Sequence, residues 1–509
     1  MKTLLTLFLF FLITTLTYPQ NNITNTLGPY GTFIIKDGSN ILLSLNQEDG
    51  ILNLTNGTIY REFNRMLHFY TPPTSVGDNT FLGIYAGNFT MSGTNNYEAT
   101  NNTGIGNYAL TNLTSGYQNS GIGSNTLYNN TSGSFNTAIG GYSLYSNTTG
   151  QENTAIGTNS LYHNTIGKQN TAVGDQSLNS NTTGDFNTAT GYQSLTLNST
   201  GISNTATGGF SLASNTTGNY NTASGVSSLY YNSTGTSNTT SGAFSLRSNT
   251  TGNQNTALGV YSLYANTTGD NNTAVGYNSL TTNTTGFQNT SVGHHSLENN
   301  NGNYNTALGY NAGSTVTTGA NLTLLGIDAN PSSPTAQNQI TLGNSFVTSL
   351  RCNVQSISSL SDQRDKKNIK DLDLGIDFLM KIKPRLFYWD KREWYVDGKS
   401  NGSKMKEEPT AGFIAQELDE VQMSENAEWL NLVLKDNPDK LEATSGNLLP
   451  IIVKAIQDLK KENDELKTKN VELTNKLNKF EQMQNTLVTE MEKLEANNNE
   501  NTKVSLGEK

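Results

Sequence analysis

Ser361 and Lys366 are the side chains in this sequence whose types and spacing are best suited to chemistry. They lie in the run SDQRDKKNI at residues 361–369. A serine hydroxyl acts as a nucleophile when a base takes its proton, and a lysine can be that base where burial or neighbouring cations lower its pKa. Arg364 and Lys367 are candidates for such cations. Taken alone, however, the run is typical of a helix N-cap and a solvated turn.

The separation of five residues limits how this pair can meet. It places the two side chains about 140° apart on a helix and on opposite faces of a strand. Ser361 and Lys366 can therefore meet only across a turn or between chains, and the sequence leaves both arrangements open.

Two further patterns follow the run in order. GFIAQEL occupies residues 412–418, and LLP at residues 448–450 leads into a helical segment. Together the three patterns resemble the peptidase S74 family, which comprises the C-terminal intramolecular chaperones of phage tail spikes and endosialidases. The resemblance covers about residues 361–460. The repeat that precedes it is similar to the shafts of tail-fibre-domain proteins.

The resemblance implies a trimeric chaperone that helps a β-fibre assemble and then cuts itself off. It assigns the nucleophile to Ser361 and the base to Lys366, with Asp362 and Arg364 as supporting residues of the motif and Leu360–Ser361 as the severed bond. Attack on the preceding carbonyl would give an ester that water hydrolyses, and no substrate has to be bound because the reacting groups are adjacent. Any enzymatic activity is then at most one self-cleavage per chain, with no external substrate.

A repeat of 17 residues dominates the chain before this region. NTAIG at residues 136–140 returns at residues 153–157, and the full unit is Asn-Thr-Ala-h-Gly-x-x-Ser-Leu-x-x-Asn-Thr-Thr-Gly-x-x, where h is Ile, Val, Leu or Thr. Copies begin regularly from Asn102 onward, the last at Asn305, with a degenerate copy at Asn79. The period predicts a mainly β fold, with a repetitive trimeric fibre shaft that is either a β-solenoid or a β-prism.

We expect each unit to give a shared core an alanine, the aliphatic residue h and a leucine such as Leu144 or Leu161. One unit is too small to offset the entropy of ordering its residues, so stacked copies and several wound chains must share that core. The two glycines fit turns with positive φ. The asparagines predict ladders of side-chain hydrogen bonds, with a glycan-binding code as the alternative. Some of them, such as Asn147 and Asn181, are also Asn-x-Thr sequons.

The other segments are distinguished by composition. Lys2 precedes an apolar run from Leu4 to Ile13, which is typical of a signal peptide. Asp-Gly and Asn-Gly pairs between apolar runs predict hairpins near the N-terminus. Leucines recur every seven residues in the C-terminal part, which predicts a coiled coil. The predicted segments are a signal peptide (1–20), an N-terminal β region (21–77), the repeat shaft (78–313), a β connector (314–360), a small α+β chaperone domain (361–448), a coiled coil (449–495) and a disordered tail (496–509).

Charge and cysteine content bear on the partners. Only five basic residues lie between Gln20 and Arg351, too few to neutralise a run of phosphates, so we predict no nucleic-acid partner. We also expect no metal site, no cofactor and no membrane span after the signal peptide. Cys352 is the only cysteine. The predicted partner is the chain itself, in a homotrimer, with a host-surface glycan or receptor left open.

The predicted function is that of a secreted, cell-surface or virion fibre of the adhesin type, matured by autoproteolysis. The alternative is a tail spike of the phage type with a glycan-binding or glycan-degrading shaft. Acidic residues in the repeat, such as Asp175, Asp185 and Asp270, are few and unpaired, which counts against glycan cleavage. A membrane-tethered transcription factor like the myelin regulatory factors would need a basic domain and a spanning helix, which the sequence does not provide.

Overall fold

The computed structural model describes residues 64–505, except 74, 348 and 352–360, and the five strands that lie between residues 23 and 61. The predicted signal peptide, Cys352 and Leu360 lie outside the described residues. The chain divides into two compact units, Met1–Leu350 and Arg351–Lys509.

Antiparallel strands form the N-terminal region. The Asp-Gly pairs lie between strands that pair antiparallel, as predicted, whereas the strands on either side of Asn56-Gly57 belong to different sheets. One sheet has the order β1 (Ile23–Leu27), β2 (Phe33–Asp37), β3 (Asn40–Leu45) and β4 (Leu52–Leu54). A hairpin is made by β5 (Thr58–Arg61) and β6 (Asn64–Tyr70), and β6 pairs antiparallel with β7 (Asn79–Leu82). The degenerate repeat copy at Asn79 therefore begins the shaft.

The shaft is a parallel β-solenoid, which confirms the mainly β repeat fold and selects the solenoid over the prism. From β7 onward each strand pairs in parallel with the next, and equivalent residues such as Ala138 and Ala155 lie side by side. The strands are β8 (Thr103–Ile105), β9 (Ser120–Ile122), β10 (Thr137–Ile139), β11 (Thr154–Ile156), β12 (Thr171–Val173), β13 (Thr188–Thr190), β14 (Thr205–Thr207), β15 (Thr222–Ser224), β16 (Thr239–Ser241), β17 (Thr256–Leu258), β18 (Thr273–Val275), β19 (Thr290–Val292), β20 (Thr306–Leu308), β21 (Thr323–Leu325) and β22 (Ile340–Leu342).

The solenoid continues past the predicted end of the shaft at residue 313. Strands β21 and β22 extend the parallel ladder into the predicted connector. The repeat is hard to see there because Leu322 replaces the asparagine that opens each unit, and its backbone N–H still donates to Asn305 Oδ1 at 3.0 Å. A buried leucine thus ends the asparagine series while the coil geometry goes on.

Only two of the three expected core residues of each unit are buried. Ala138 and Leu144 have no exposed surface, whereas Ile139, at the position h, is 38% exposed. Neighbouring residues of a strand point to opposite faces, so the central alanine points inward and the residues on either side of it point outward. Within a single chain, the expectation that h belongs to the core is therefore wrong.

The two glycines of each unit serve different purposes. Gly140 has the positive φ that was expected, at 123°. Gly150 is not among the positive-φ residues, and it is required because a Cβ there would overlap Asn147 Oδ1 and the carbonyl oxygen of Gly167 in the next coil. The turn also uses Leu144, a buried leucine with φ of 51°, which is a rare conformation for such a side chain.

Two ladders of buried asparagines run along the solenoid. In the first, Asn136 Nδ2 donates to Asn119 Oδ1 at 3.0 Å and to the carbonyl oxygen of Gly150 at 2.9 Å. In the second, Asn147 Nδ2 donates to Asn130 Oδ1 at 2.8 Å. These side chains have no exposed surface. The ladder prediction is confirmed, and sequon asparagines such as Asn147 are out of reach of glycan attachment in the folded shaft.

The C-terminal unit is a small α+β region followed by a long helix. Its buried cluster includes Phe378, Leu418, Leu432, Leu448 and Ile451. Single turns of 3₁₀ helix occupy Gln363–Asp365, Arg392–Trp394, Glu428–Leu430 and Ser445–Leu448. The regular elements are α1 (Ile376–Leu379), β23 (Arg385–Phe387), β24 (Thr410–Gly412), α2 (Ala415–Ser424), β25 (Val433–Leu434), β26 (Glu442–Ala443) and α3 (Leu449–Ser505).

Helix α3 continues to Ser505, past residue 495 where the sequence predicts a disordered tail. Its first turns pack into the buried cluster through Ile451. Farther along, the leucines of the heptad are exposed in the single chain, for example Leu466 at 53% and Leu473 at 61%. The coiled coil itself stays a prediction.

Candidate active site

One turn of 3₁₀ helix positions the two residues singled out from the sequence. Asp362 is its N-cap, with Oδ1 accepting a hydrogen bond from the Arg364 backbone N–H at 2.8 Å. The turn covers Gln363–Asp365 and ends at Lys366, whose backbone N–H donates to the Gln363 carbonyl oxygen at 3.1 Å. The N-cap expected for this run is therefore present, and it folds the chain back between Ser361 and Lys366.

Ser361 and Lys366 meet across this turn, within one chain. Lys366 Nζ is hydrogen-bonded to Ser361 Oγ and lies 3.3 Å from the Ser361 carbonyl oxygen. Of the two arrangements that the sequence leaves open, the structure has the one that needs no second chain. An amine in this position, when neutral, can accept the proton of the serine hydroxyl.

The charge of Arg364 is matched by Asp362. Arg364 Nε lies 3.0 and 3.1 Å from the two carboxylate oxygens, and its Nη2 lies 2.6 Å from Oδ2. This hydrogen-bonded pair lowers the pKa of the Asp362 carboxyl and raises the pKa of the Arg364 guanidinium. Arg364 therefore offers Lys366 little of the cationic repulsion that the sequence suggested.

The whole motif is exposed in the single chain. Ser361, Asp362, Arg364 and Lys366 all lie at the surface, and the Arg364 side chain is 88% exposed. Water therefore reaches the serine and the lysine freely. Leu360, which carries the carbonyl that would be attacked, falls outside the described residues.

The second pattern of the resemblance builds the region that follows the motif. Gly412 ends β24, and Leu418 of α2 lies in the buried cluster. Arg385 of β23 forms an ion pair with Glu417 of α2, with Arg385 Nε 2.9 Å from Glu417 Oε2. The pair lowers the pKa of Glu417 and raises that of Arg385. This ion pair connects β23 to α2. Arg385 and Glu417 are far apart in the sequence, and no sequence pattern predicted their contact.

A buried glutamine of α2 also escaped the sequence analysis. Gln422 is 2% exposed, and its Oε1 accepts a hydrogen bond from the Leu432 backbone N–H at 3.1 Å. Its Nε2 donates to Asp419 Oδ1 at 2.8 Å. Because buried polar groups must be paired, Gln422 fixes the segment that follows α2. Its position on the inner face of an amphipathic helix is the only signal in the sequence.

In the described part of the chain, no group of three or more His, Cys, Asp and Glu side chains is placed to hold a metal ion. No helix there has both the length and the apolar composition needed to cross a membrane.

Comparison with known protein families bears on the same segment. Residues 361–427 match the family model of the chaperone of endosialidase, peptidase S74. The match begins at Ser361 and confirms the resemblance inferred from the motifs. No curated protein and no solved structure matches the chain. A β-solenoid shaft followed by a segment of this family fits a tail-fibre-like or spike-like protein that associates with itself.

Proposed function

We propose that this protein is a fibre whose C-terminal chaperone drives homotrimerisation and then releases itself by cutting the Leu360–Ser361 bond. The observation that carries the proposal is the hydrogen bond between Lys366 Nζ and Ser361 Oγ, inside a segment that matches the chaperone family. The shaft would remain as the mature fibre.

The proposed cleavage has two steps. Ser361 Oγ attacks the carbonyl carbon of Leu360 while Lys366 Nζ takes its proton. The carbon–nitrogen bond breaks, the proton passes to the nitrogen, and the Leu360 acyl group is left as an ester on Ser361 Oγ. Water then hydrolyses the ester, which gives Leu360 a carboxylate and restores the hydroxyl of Ser361, now the first residue of the released piece.

Assembly is proposed to switch this reaction on. A lysine acts as a base only in its neutral form, which burial favours and open water disfavours. Lys366 and Ser361 are exposed in the single chain. Partial cover from neighbouring chains would favour the neutral lysine and still admit the water that hydrolyses the ester, so cleavage would follow trimerisation and not precede it.

The long helix supports the association. Leu459, Leu466 and Leu473 occupy every seventh position and are each more than half exposed. Such a stripe on an isolated helix is stabilised by packing against the same stripe of other chains. Asn463 and Asn470 fall at the other core position, a pattern common in parallel dimers, whereas the family resemblance implies three chains. We propose the trimer, because Ile456, Leu477 and Met491 occupy other a positions and make the dimer preference of the coil small.

The proposed location is outside the cell or on a virion. The predicted signal peptide would direct export, and a fibre at a surface would meet a host glycan or receptor.

A shaft that degrades glycans is the less favoured function. Asp185 Oδ1 accepts a hydrogen bond from the Lys168 backbone N–H of the preceding coil at 2.7 Å. Asp270 Oδ1 does the same for the Asn253 N–H at 2.6 Å. These acids join neighbouring coils, a structural role that does not require a substrate.

The test is expression of residues 21–509 and gel electrophoresis with N-terminal sequencing. We expect two pieces, 21–360 and a piece that begins at Ser361. Ser361→Ala and Lys366→Arg should each leave one intact chain, since arginine cannot act as the base. Lys367→Arg is the matched control and should be cut like the parent. Cleavage of the Ser361→Ala chain at the same bond and rate would overturn the proposal.

A further inference from the structure

The outer face of the solenoid sheet consists of two columns of side chains. The first residue of each strand from β8 to β22 forms one column, which is threonine in nearly every coil. The third residue, at the position h, forms the other. No charged residue occurs in either column. Charged residues are typically depleted at the centre of a protein interface.

The h column is divided into zones along the fibre. An aliphatic zone comes first, a hydroxyl zone follows, and a second aliphatic zone ends the column. The first zone is Ile105, Ile122, Ile139, Ile156 and Val173; the hydroxyl zone is Thr190, Thr207, Ser224 and Ser241; the second aliphatic zone is Leu258, Val275, Val292, Leu308, Leu325 and Leu342.

Many of these aliphatic side chains are open to solvent. Ile122 is 41% exposed, Leu308 is 52% and Leu342 is 49%. Strands about 4.8 Å apart make the fifteen-strand face about 67 Å long, and three residues make it about 10 Å wide. The resulting area of about 700 Å² is close to the roughly 800 Å² that each partner buries in a stable protein interface.

The face is poorly suited to a sugar ligand. It carries hydroxyls but no charged group or amide that would orient one. Some tyrosines of the shaft stack on one another: Tyr128 and Tyr145 stack at 5.2 Å and 10°, and Tyr145 and Tyr162 stack at 5.1 Å and 8°. The ring faces within these stacks are not open to a glycan.

We infer that this outer face binds the same face of other copies of the chain, in parallel and in register. The register follows from the zones. Only chains without a shift along the fibre place aliphatic zones against aliphatic zones and the hydroxyl zone against the hydroxyl zone along the whole column. The zone pattern alone fits both directions of alignment. Parallel alignment rests on the proposed function, since a trimerising chaperone at one end of each chain holds equivalent segments level.

Cysteine labelling tests this inference in the full-length chain carrying Ser361→Ala and Cys352→Ser. Thr207→Cys places a thiol in the hydroxyl zone. Thr149→Cys is the matched control, at an exposed threonine in a turn of another coil. We expect a short bismaleimide to join Thr207→Cys chains to each other and not Thr149→Cys chains. A monofunctional maleimide should react with Thr207→Cys at least about tenfold more slowly than with Thr149→Cys, because the reagent reaches the thiol at position 207 only when the face opens.

Sedimentation of the same proteins separates the two claims. Three chains in the particle, with Thr207→Cys as reactive as Thr149→Cys and not cross-linked, would overturn the docking face and leave the trimer intact. Such a face would be free for a different ligand. A mass of one chain would overturn the face and the proposed trimerisation together. Cross-links between chains carrying Thr207→Cys and chains carrying Leu258→Cys, in a mixed assembly, would contradict the register.

Discussion

The shaft and the C-terminal unit differ in where their side chains find contacts. In the shaft, polar groups such as Asn136 are buried and paired with the neighbouring coils of the same chain. In the C-terminal unit, Lys366 and the heptad leucines of α3 stay exposed. The solenoid is thus internally complete except for its outer face, whereas the C-terminal unit lacks partners along most of its helix.

This contrast changes what a chaperone is needed for. Each coil pairs with the next coil of its own chain, so the register inside the solenoid is set by contacts close in sequence. No second chain is needed to complete a coil of these strands. What is left to set is the alignment between chains, and that is the task we assign to the C-terminal unit.

The strongest way to break the shaft is to crowd its coils. A Cβ on Gly140 would lie 2.7 Å from backbone atoms of Gly157, and the φ of 123° is unfavourable for any other residue. We expect Gly140→Ala to lower the free energy of unfolding by about 3 kcal/mol. Gly141→Ala is the control, because its Cβ would find nothing closer than 4.0 Å. Urea unfolding of both variants makes the comparison, and equal losses would contradict the close stacking.

Removing one rung of the asparagine ladder should cost somewhat less. Asn170 Nδ2 donates to Asn153 Oδ1 at 3.1 Å, and Asn170 Oδ1 accepts from the Asn187 N–H at 2.9 Å. Asn170→Ala leaves buried partners unpaired, which we expect to cost about 2 kcal/mol. Thr149→Ala, at an exposed side chain, should change little. Thermal unfolding followed by circular dichroism measures both, and a neutral Asn170→Ala would show that the ladder is not stabilising.

Shortening one core side chain of α3 should weaken the association of chains and leave the shaft unchanged. Leu473 and Val471 are both 61% exposed in the single chain. Only Leu473 occupies a core position of the predicted heptad. We expect Leu473→Ala to cost about 1.5 kcal/mol per chain in assembly and Val471→Ala to cost little. Sedimentation equilibrium in the Ser361→Ala background measures this difference. Equal effects would remove the coiled coil from the account.

The smallest effect is expected at Asp362, where replacement by asparagine removes the charge and replacement by alanine removes both the charge and the cap. Arg364 lowers the pKa of its carboxyl, so the ion pair is fully present above the ordinary aspartate pKa of about 4 and is lost as pH falls through the lowered value. Asparagine caps a turn as well as aspartate does. Asp362→Asn should therefore slow cleavage at neutral pH less than Asp362→Ala does. The two time courses on gels measure this, and equal slowing by the two variants would show that the charge matters and the cap does not.

Much of this fold can be predicted from the sequence because the repeat is so regular. The period predicts the solenoid, the asparagines predict the ladders, and the heptad predicts a long helix. The position h was misassigned because a pattern of Thr-Ala-h does not show which face of a short strand is inward. Ala138 is buried and Ile139 is exposed because neighbouring residues of a strand point to opposite faces.

The candidate site shows a different limit. The resemblance identified Ser361 and Lys366, but their spacing left open whether they meet in one chain. In the single chain, the N-cap at Asp362 and the one-turn helix bring Lys366 back to Ser361. The pairing of Arg364 with Asp362 removed a cation that the charge pattern suggested. Contacts of this kind depend on backbone direction, which a list of residue types does not contain.

The sedimentation mass of the shaft after release tests the central claim most directly. Full-length protein is allowed to cleave, the piece that begins at Ser361 is separated, and the remaining shaft is sedimented. We predict a mass of three chains that persists without the chaperone. A shaft of one chain, or an equal yield of the same trimer from a chain ended at Leu350, would contradict a chaperone that assembles the fibre and then leaves it.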